Sequence, residues 1–263
     1  MKTFGWILLA AGVLLNACAP NNVHKEDSWE KYFAEYKAEG CFMLFDNGQG
    51  DFKVYNIDRA KQPFSPASTF KIFNSLVALQ TGAIADTGTV IKWDSIVRSY
   101  PQWNQDLSMQ AAFRASSVPY FQEVARRIGK DRMQHWLDTV KYGNMKISAI
   151  DTFWLDNTLK ITPDEELGFV KKLYFDQLPF SKTTMEFVRN MMLMEKTPQY
   201  TLSYKTGWAV LKDKQIGWIV GWIEKEGLPS FFVLNVESED PNFDMKTARI
   251  DILKKILKQE GYF

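Results

Sequence analysis

Strand-like segments at both ends of the chain and helical periodicity between them predict an α/β (α+β) fold. The expected architecture is a central antiparallel sheet built from both termini and flanked by helices. An all-helical subdomain over about residues 68–195 is inserted into it, with an active-site cleft where the two parts meet. The 263 residues, 46% hydrophobic and 24% charged, suit a globular chain with a sizeable core. A net charge of +1 gives no basis for a nucleic-acid partner or a polybasic membrane patch.

Residues 1–17 read as an export signal, with Lys2 as the basic start and Trp6–Leu15 as an apolar run too short to span a bilayer comfortably. The run ends in Leu15-Asn16-Ala17-Cys18, which resembles the bacterial lipobox. Cys18 is therefore expected to be lipidated, with simple secretion as the alternative, and residues 18–27 to be a tether before a domain at 28–263. The protein is expected to be exported, periplasmic and lipid-anchored. A lipidated Cys18 leaves Cys41 without a disulfide partner, and its place in the apolar run Cys41–Phe45 marks it as a packed thiol. His24 and His135 have no metal-binding pattern around them, which argues against a metal site and against a Ser-His-Asp triad.

Helical character is expected at Asp27–Ala38, then strands at Gly40–Phe45 and Phe52–Asn56 joined by the turn at 46–50. Pro63 and Pro66 fix an extended approach to a helix over Ser68–Gln80, stopped by Thr81-Gly82. After a loop-rich stretch, helices are expected at about 106–114, 119–128, 131–140, Asp164–Phe175 and Lys182–Met194, the last capped by Ser181. Tyr200–Leu211, Ile216–Glu224 and Ser230–Glu237, rich in aromatic and β-branched residues, read as an antiparallel meander. Lys246–Gln259 closes the chain as an amphipathic helix.

Ser68-Thr69-Phe70-Lys71 places a hydroxyl beside a helix start and an amine one turn away on the same face. An amine at that distance can activate a serine when no histidine is at hand. Alone, the pattern is more often a helix cap followed by an ordinary lysine. Three further segments give it company: Ser116-Ser117-Val118 before a helix, Tyr142-Gly143-Asn144 after one, and Lys205-Thr206-Gly207-Trp208 on the first meander strand. Singly, these too read as a helix cap, a helix stop and a common strand tripeptide. In this order, with Trp93-Asp94, Phe153-Trp154-Leu155 and Gly217–Trp222 around them, they resemble the class D serine β-lactamases, the oxacillinases, from about residue 40 to 260. Ile219 departs from the family, which more often has Trp there, and Trp208 stands where Phe also occurs.

The resemblance implies a serine β-lactamase/transpeptidase-like fold and hydrolysis of β-lactams, penicillins and cephalosporins with carbapenems as a further candidate, through a Ser68 acyl-enzyme. Backbone N–H groups of Ser68 and Trp208 would form the oxyanion hole. Lys205, Thr206 and Arg249 would hold the substrate carboxylate, with Gly207, Val118 and Leu155 also lining the substrate site, and Ser116 would pass a proton to the leaving nitrogen. Asn144 would support the cleft. Lys71 would be N6-carboxylated and act as general base, held by the Trp154 indole, so that CO2 or bicarbonate is the only accessory and no metal is needed. On the residues alone, apolar Phe70, Val118, Trp154 and Leu155 suggest only a lysine of lowered pKa. Two rivals share the motifs: a penicillin-binding DD-peptidase and the covalent sensor domain of a β-lactam receptor. Oligomeric state has no signature.

Overall fold

The computed structural model describes residues 22–263, so the export signal and Cys18 lie outside the described residues. The N-terminal part holds β1 (Asn22–Lys25), α1 (Glu30–Ala34), β2 (Glu39–Asp46), β3 (Asp51–Tyr55) and α2 (Ile57–Ala60). The middle holds α3 (Lys71–Gln80), β4 (Val90–Ile91), β5 (Leu107–Ser108), α4 (Met109–Arg114), α5 (Val118–Ile128), α6 (Lys130–Val140), α7 (Pro163–Tyr174) and α8 (Lys182–Met192). β6 (Leu193–Lys196), β7 (Tyr200–Leu211), β8 (Lys214–Lys225), β9 (Leu228–Ser238) and α9 (Met245–Gln259) complete the chain.

Seven strands form one sheet in the order β1-β3-β2-β9-β8-β7-β6, so the two ends of the chain meet at the β2–β9 pairing. Alternation sorts the side chains between two cores. From β2, β8 and β9, residues Cys41, Met43, Trp218, Val220, Trp222, Phe231 and Val233 join the large core that runs into the helical part. Phe42, Leu44, Ile219, Ile223, Phe232, Leu234 and Val236 face a second core closed by Trp29, Phe33 and the apolar stripe of α9. Ile219, fully buried there, is thus a packing residue on the side of the sheet away from the helical subdomain. Cys41 is sealed in, and burial pushes its thiol up to about 12, as suits a packed thiol.

Three expectations need correction. Asn22–Lys25, taken as tether, pairs in parallel with β3 and so covers the outer edge of the sheet; the sheet is therefore not wholly antiparallel. The helix expected to reach Met194 stops at Met192, because Leu193 turns extended and starts β6 against β7. The helix expected to begin at Ser68 opens with a 3-10 turn, Ala67–Phe70, before α3 proper.

Candidate active site

Ser68 lies in the 3-10 turn, where Ala67 takes a positive φ of 49° that few non-glycine residues adopt. Lys71 starts α3, so one helical turn brings the two side chains together: Lys71 Nζ donates to Ser68 Oγ at 2.7 Å. Lys71 is fully buried and none of the ion pairs formed among the described residues includes it. Burial alone takes its amine down to about 7. A large part of the amine is therefore neutral near neutral pH, and its lone pair can accept the Ser68 hydroxyl proton. The wall around it is aromatic, with Nζ 5.4 Å from the centre of the Phe121 ring.

β7 forms the opposite side. Gly207 is there because the strand runs hard against the turn: a Cβ at this position would stand 2.9 Å from the Pro66 carbonyl oxygen and 3.3 Å from Thr69 Cγ2. Lys205 Nζ donates to Ser116 Oγ in a short contact and to the Thr206 carbonyl at 2.9 Å. Its burial, then the positive charges of Lys71 and Arg249, hold the Lys205 amine well below its ordinary range. Ser116 sits just before α5 with φ 50°, a second strained residue at the cleft. From α9, Arg249 reaches across to donate through Nη1 to the Gly207 carbonyl, while its buried Nε has no partner among the described residues. Burial lowers the guanidinium to about 10, still cationic at neutral pH.

Ser68, Ser116, Val118, Thr206, Gly207, Trp208 and Arg249 line one cleft of about 240 Å³. Trp208 faces it, its indole anchored on Gln215 Oε1 at 2.9 Å. The cleft also takes in residues that the sequence did not single out. Tyr100 and Trp103 stack at 4.4 Å, and Lys246 Nζ lies 4.9 Å from the centre of the Tyr100 ring. Leu155 does not line this cleft; it is half-buried against the large core. Trp154 is fully buried and stacked on Phe70 at 5.2 Å. Its indole N–H has no acceptor among the described residues.

The loop holding Trp154 is tied down from two sides. Ser65 Oγ donates to the Trp154 carbonyl at 3.0 Å, and the Ser65 carbonyl accepts from the Trp218 indole on β8 at 2.9 Å. Asn144 donates to the Thr158 carbonyl at 2.9 Å and accepts from the Lys160 and Lys146 backbone N–H groups. Asn144 thus ties residues 144–146 to residues 158–160. Tyr142 donates to Glu166 Oε1 at 2.9 Å, and the same oxygen lies 2.6 Å from Thr69 Oγ1, directly behind the nucleophile. The sequence reading missed Glu166. The signal was present: Glu166, Phe169, Val170 and Leu173 follow one another on one helical face, so the acid sits on the apolar stripe of α7.

The arrangement can activate a serine, offer it a neutral amine and bind an anionic group beside it. Residues 22–258 match the model of the penicillin binding protein transpeptidase domain. Over 255 residues the chain is 37% identical to β-lactamase OXA-48 of Klebsiella pneumoniae, covering 97% of this chain and 96% of that one. It is similar to the solved class D β-lactamase YbXI from Nostoc, with TM-score 0.85 and 40% identity over 89% of this chain and 98% of that one. It is also similar to the C-terminal domain of the Bacillus licheniformis BlaR penicillin-receptor, with TM-score 0.88 and 31% identity over 94% of this chain and all (100%) of that one.

Proposed function

The chain belongs to the class D β-lactamases of the penicillin-binding-protein transpeptidase family, and we propose that it hydrolyses β-lactams through Ser68 with Lys71 as the base. The observation that carries the assignment of roles is the Lys71–Ser68 contact: a fully buried amine with no counter-ion among the described residues, 2.7 Å from the hydroxyl. Ser68 Oγ attacks the β-lactam carbonyl carbon as its proton passes to Lys71. The oxyanion points to the Ser68 and Trp208 N–H groups, and the substrate carboxylate lies against Arg249 and Thr206. As the ring C–N bond breaks, Ser116 gives its hydroxyl proton to the nitrogen and takes one from Lys205. Lys71 then passes the proton it took from Ser68 to Lys205 by way of Ser116 and is neutral again. Water attacks the acyl carbon, losing its proton to Lys71, which gives it to Ser68 Oγ as the ester bond to the product breaks.

A plain amine is a weak base for the second half of this cycle. N6-carboxylation of Lys71 by CO2 would give an anionic oxygen base in its place, and CO2 or bicarbonate is the only accessory proposed. The neutral amine that carboxylation needs is favoured by burial, and the unpartnered Trp154 indole N–H suits an anionic oxygen. These two features favour hydrolysis over the long-lived acyl-protein of a sensor domain or DD-peptidase. Incorporation of labelled bicarbonate into a carbamate signal that Lys71→Ala removes is the test; wild-type protein without that signal rejects the carboxylated base.

Export through residues 1–17 and lipid anchoring at Cys18 belong to the same proposal, with the periplasm as the place of action. Palmitate labelling that survives Cys18→Ala rejects the anchor. Penicillins, cephalosporins and carbapenems are the substrate classes to compare.

A further inference from the structure

Thr69, the residue after the nucleophile, has one hydroxyl hydrogen and two short oxygen contacts. Its Oγ1 lies 2.8 Å from the Pro66 carbonyl oxygen and 2.6 Å from Glu166 Oε1. Tyr142 donates its own hydroxyl hydrogen to that same Oε1 at 2.9 Å. A carbonyl oxygen can only accept, so the Pro66 contact consumes the Thr69 hydrogen. The Glu166 contact is the shorter of the two, and its hydrogen must then come from the carboxyl. An ionised carboxylate would leave one of the two contacts without a hydrogen, with lone pairs facing each other.

Oε2 of the same carboxyl points the same way. It is buried with no partner among the described residues, and Glu166 is itself 0% exposed. Ionisation would spread charge onto an oxygen that nothing solvates, whereas a neutral acid leaves there only a carbonyl-type oxygen. No nearby cation offsets this among the described residues. Arg59 on α2 and Arg189 on α8, from helices packed on α7, are bound to Glu237 and Asp176, and Lys71 is bonded to Ser68. The remaining ionisable neighbours are Tyr142, which gives a hydrogen bond, and Glu165, an acid whose charge repels a second one.

We propose that Glu166 is held as a neutral carboxylic acid whose Oε1 proton completes the chain Tyr142–Glu166–Thr69–Pro66 and so fixes the turn that carries Ser68. It is a positioning residue. Its effect on rate rests on the hydrolytic reading above; its protonation does not. The Pro66 carbonyl oxygen at the end of the chain is also the atom nearest to where a Cβ on Gly207 of β7 would stand, 2.9 Å away, so turn and strand are closely spaced at this point. Burial raises the Glu166 carboxyl from 4.5 to about 7, with the Glu165 charge acting in the same direction and the hydrogen bond from Tyr142 opposing it. Above that pH the Thr69 hydrogen is drawn to the carboxylate and the grip on Pro66 loosens.

Glu166→Gln tests this, because an amide nitrogen in the place of Oε1 can donate one hydrogen to Thr69 and its second to the Tyr142 hydroxyl oxygen at every pH. The folded wild-type holds a Glu166 proton that the unfolded chain releases between pH 4.5 and about 7, so its stability falls across that window. The difference in Tm between Glu166→Gln and wild type should therefore grow in favour of the variant as pH rises through it. The infrared difference spectrum should show a protonated-carboxyl C=O band in wild type that the variant lacks. The kcat/KM ratio of variant to wild type for a penicillin should climb as pH passes about 7. A flat Tm difference together with no lost acid band overturns the proposal. Wild-type protein that shows the acid band but does not hydrolyse β-lactams would refute the hydrolytic reading and leave the protonated Glu166 standing.

Discussion

Gly207→Ala adds one methyl group where the nucleophile's turn meets the substrate strand. The new Cβ would stand 2.9 Å from the Pro66 carbonyl oxygen, 3.2 Å from Trp218 Cβ and 3.3 Å from Thr69 Cγ2. Backbone and packed side chains surround it, so no flexible chain end can give way. Ordinary contact begins at 3.4 Å, so strand and turn must part by about 0.5 Å. Overpacking of this kind costs about 1–3 kcal/mol in stability. The larger effect is on rate, because the displaced strand carries Trp208, the second proposed oxyanion donor. Loss of one such donor costs about 100- to 1,000-fold in kcat, and a partial displacement should cost roughly 10- to 100-fold. Steady-state hydrolysis of a penicillin, measured well below the variant's Tm, reads kcat and KM separately, and the loss should fall mainly on kcat. A variant that folds and keeps kcat within about twofold of wild type would refute the argument that the turn-to-strand spacing sets the oxyanion hole.

Arg249→Ala removes a guanidinium that reaches the Gly207 carbonyl and lines the cleft, so kcat/KM should fall roughly 10- to 100-fold, chiefly through KM; an unchanged KM would reject the carboxylate clamp. Trp154→Phe keeps an aromatic ring for the stack on Phe70 but deletes the indole N–H. Its kcat should fall about tenfold or more and recover in part with added bicarbonate, and a rate indifferent to bicarbonate would contradict the role given to the indole. Burial lowers Lys71 from 10.5 to about 7, so between those values the folded protein holds fewer protons than the unfolded chain and its stability rises with pH. Lys71→Met should accordingly be inactive yet more stable than wild type, by up to ~5 kcal/mol below pH 7, read as Tm against pH.

Much of this was legible in the sequence because the determining features are local. Three aromatic and β-branched segments near the end mark the meander, α3 shows in its apolar spacing, and α7 and α8 show in their Thr162 and Ser181 caps. The candidate site residues were proposed because four short motifs occur together and in order. What escaped notice depends on contacts between distant segments. Asn22–Lys25 has no strand pattern of its own and becomes β1 because β3 leaves an open edge beside it. Leu155 is adjacent to Trp154, but its side chain is half-buried against the core and outside the cleft. Glu166 follows Glu165, which closes a capping box with Thr162, so an acidic first turn explained both residues until the fold placed only one of them inside. Tyr100, Trp103 and Lys246 come to the cleft from a loop and from α9, and no spacing in the sequence relates them.

In the proposed cycle Ser68 is acylated by a β-lactam and then released by water with Lys71 as base. Continuous hydrolysis of a chromogenic cephalosporin by the purified protein, with bicarbonate present, tests it most directly. Sustained turnover far beyond one equivalent is expected, abolished by Ser68→Ala and reduced by Lys71→Ala to at most slow acylation that stays trapped. A burst of one equivalent followed by no further hydrolysis in the wild-type protein would contradict it and assign the chain to a sensor or a DD-peptidase.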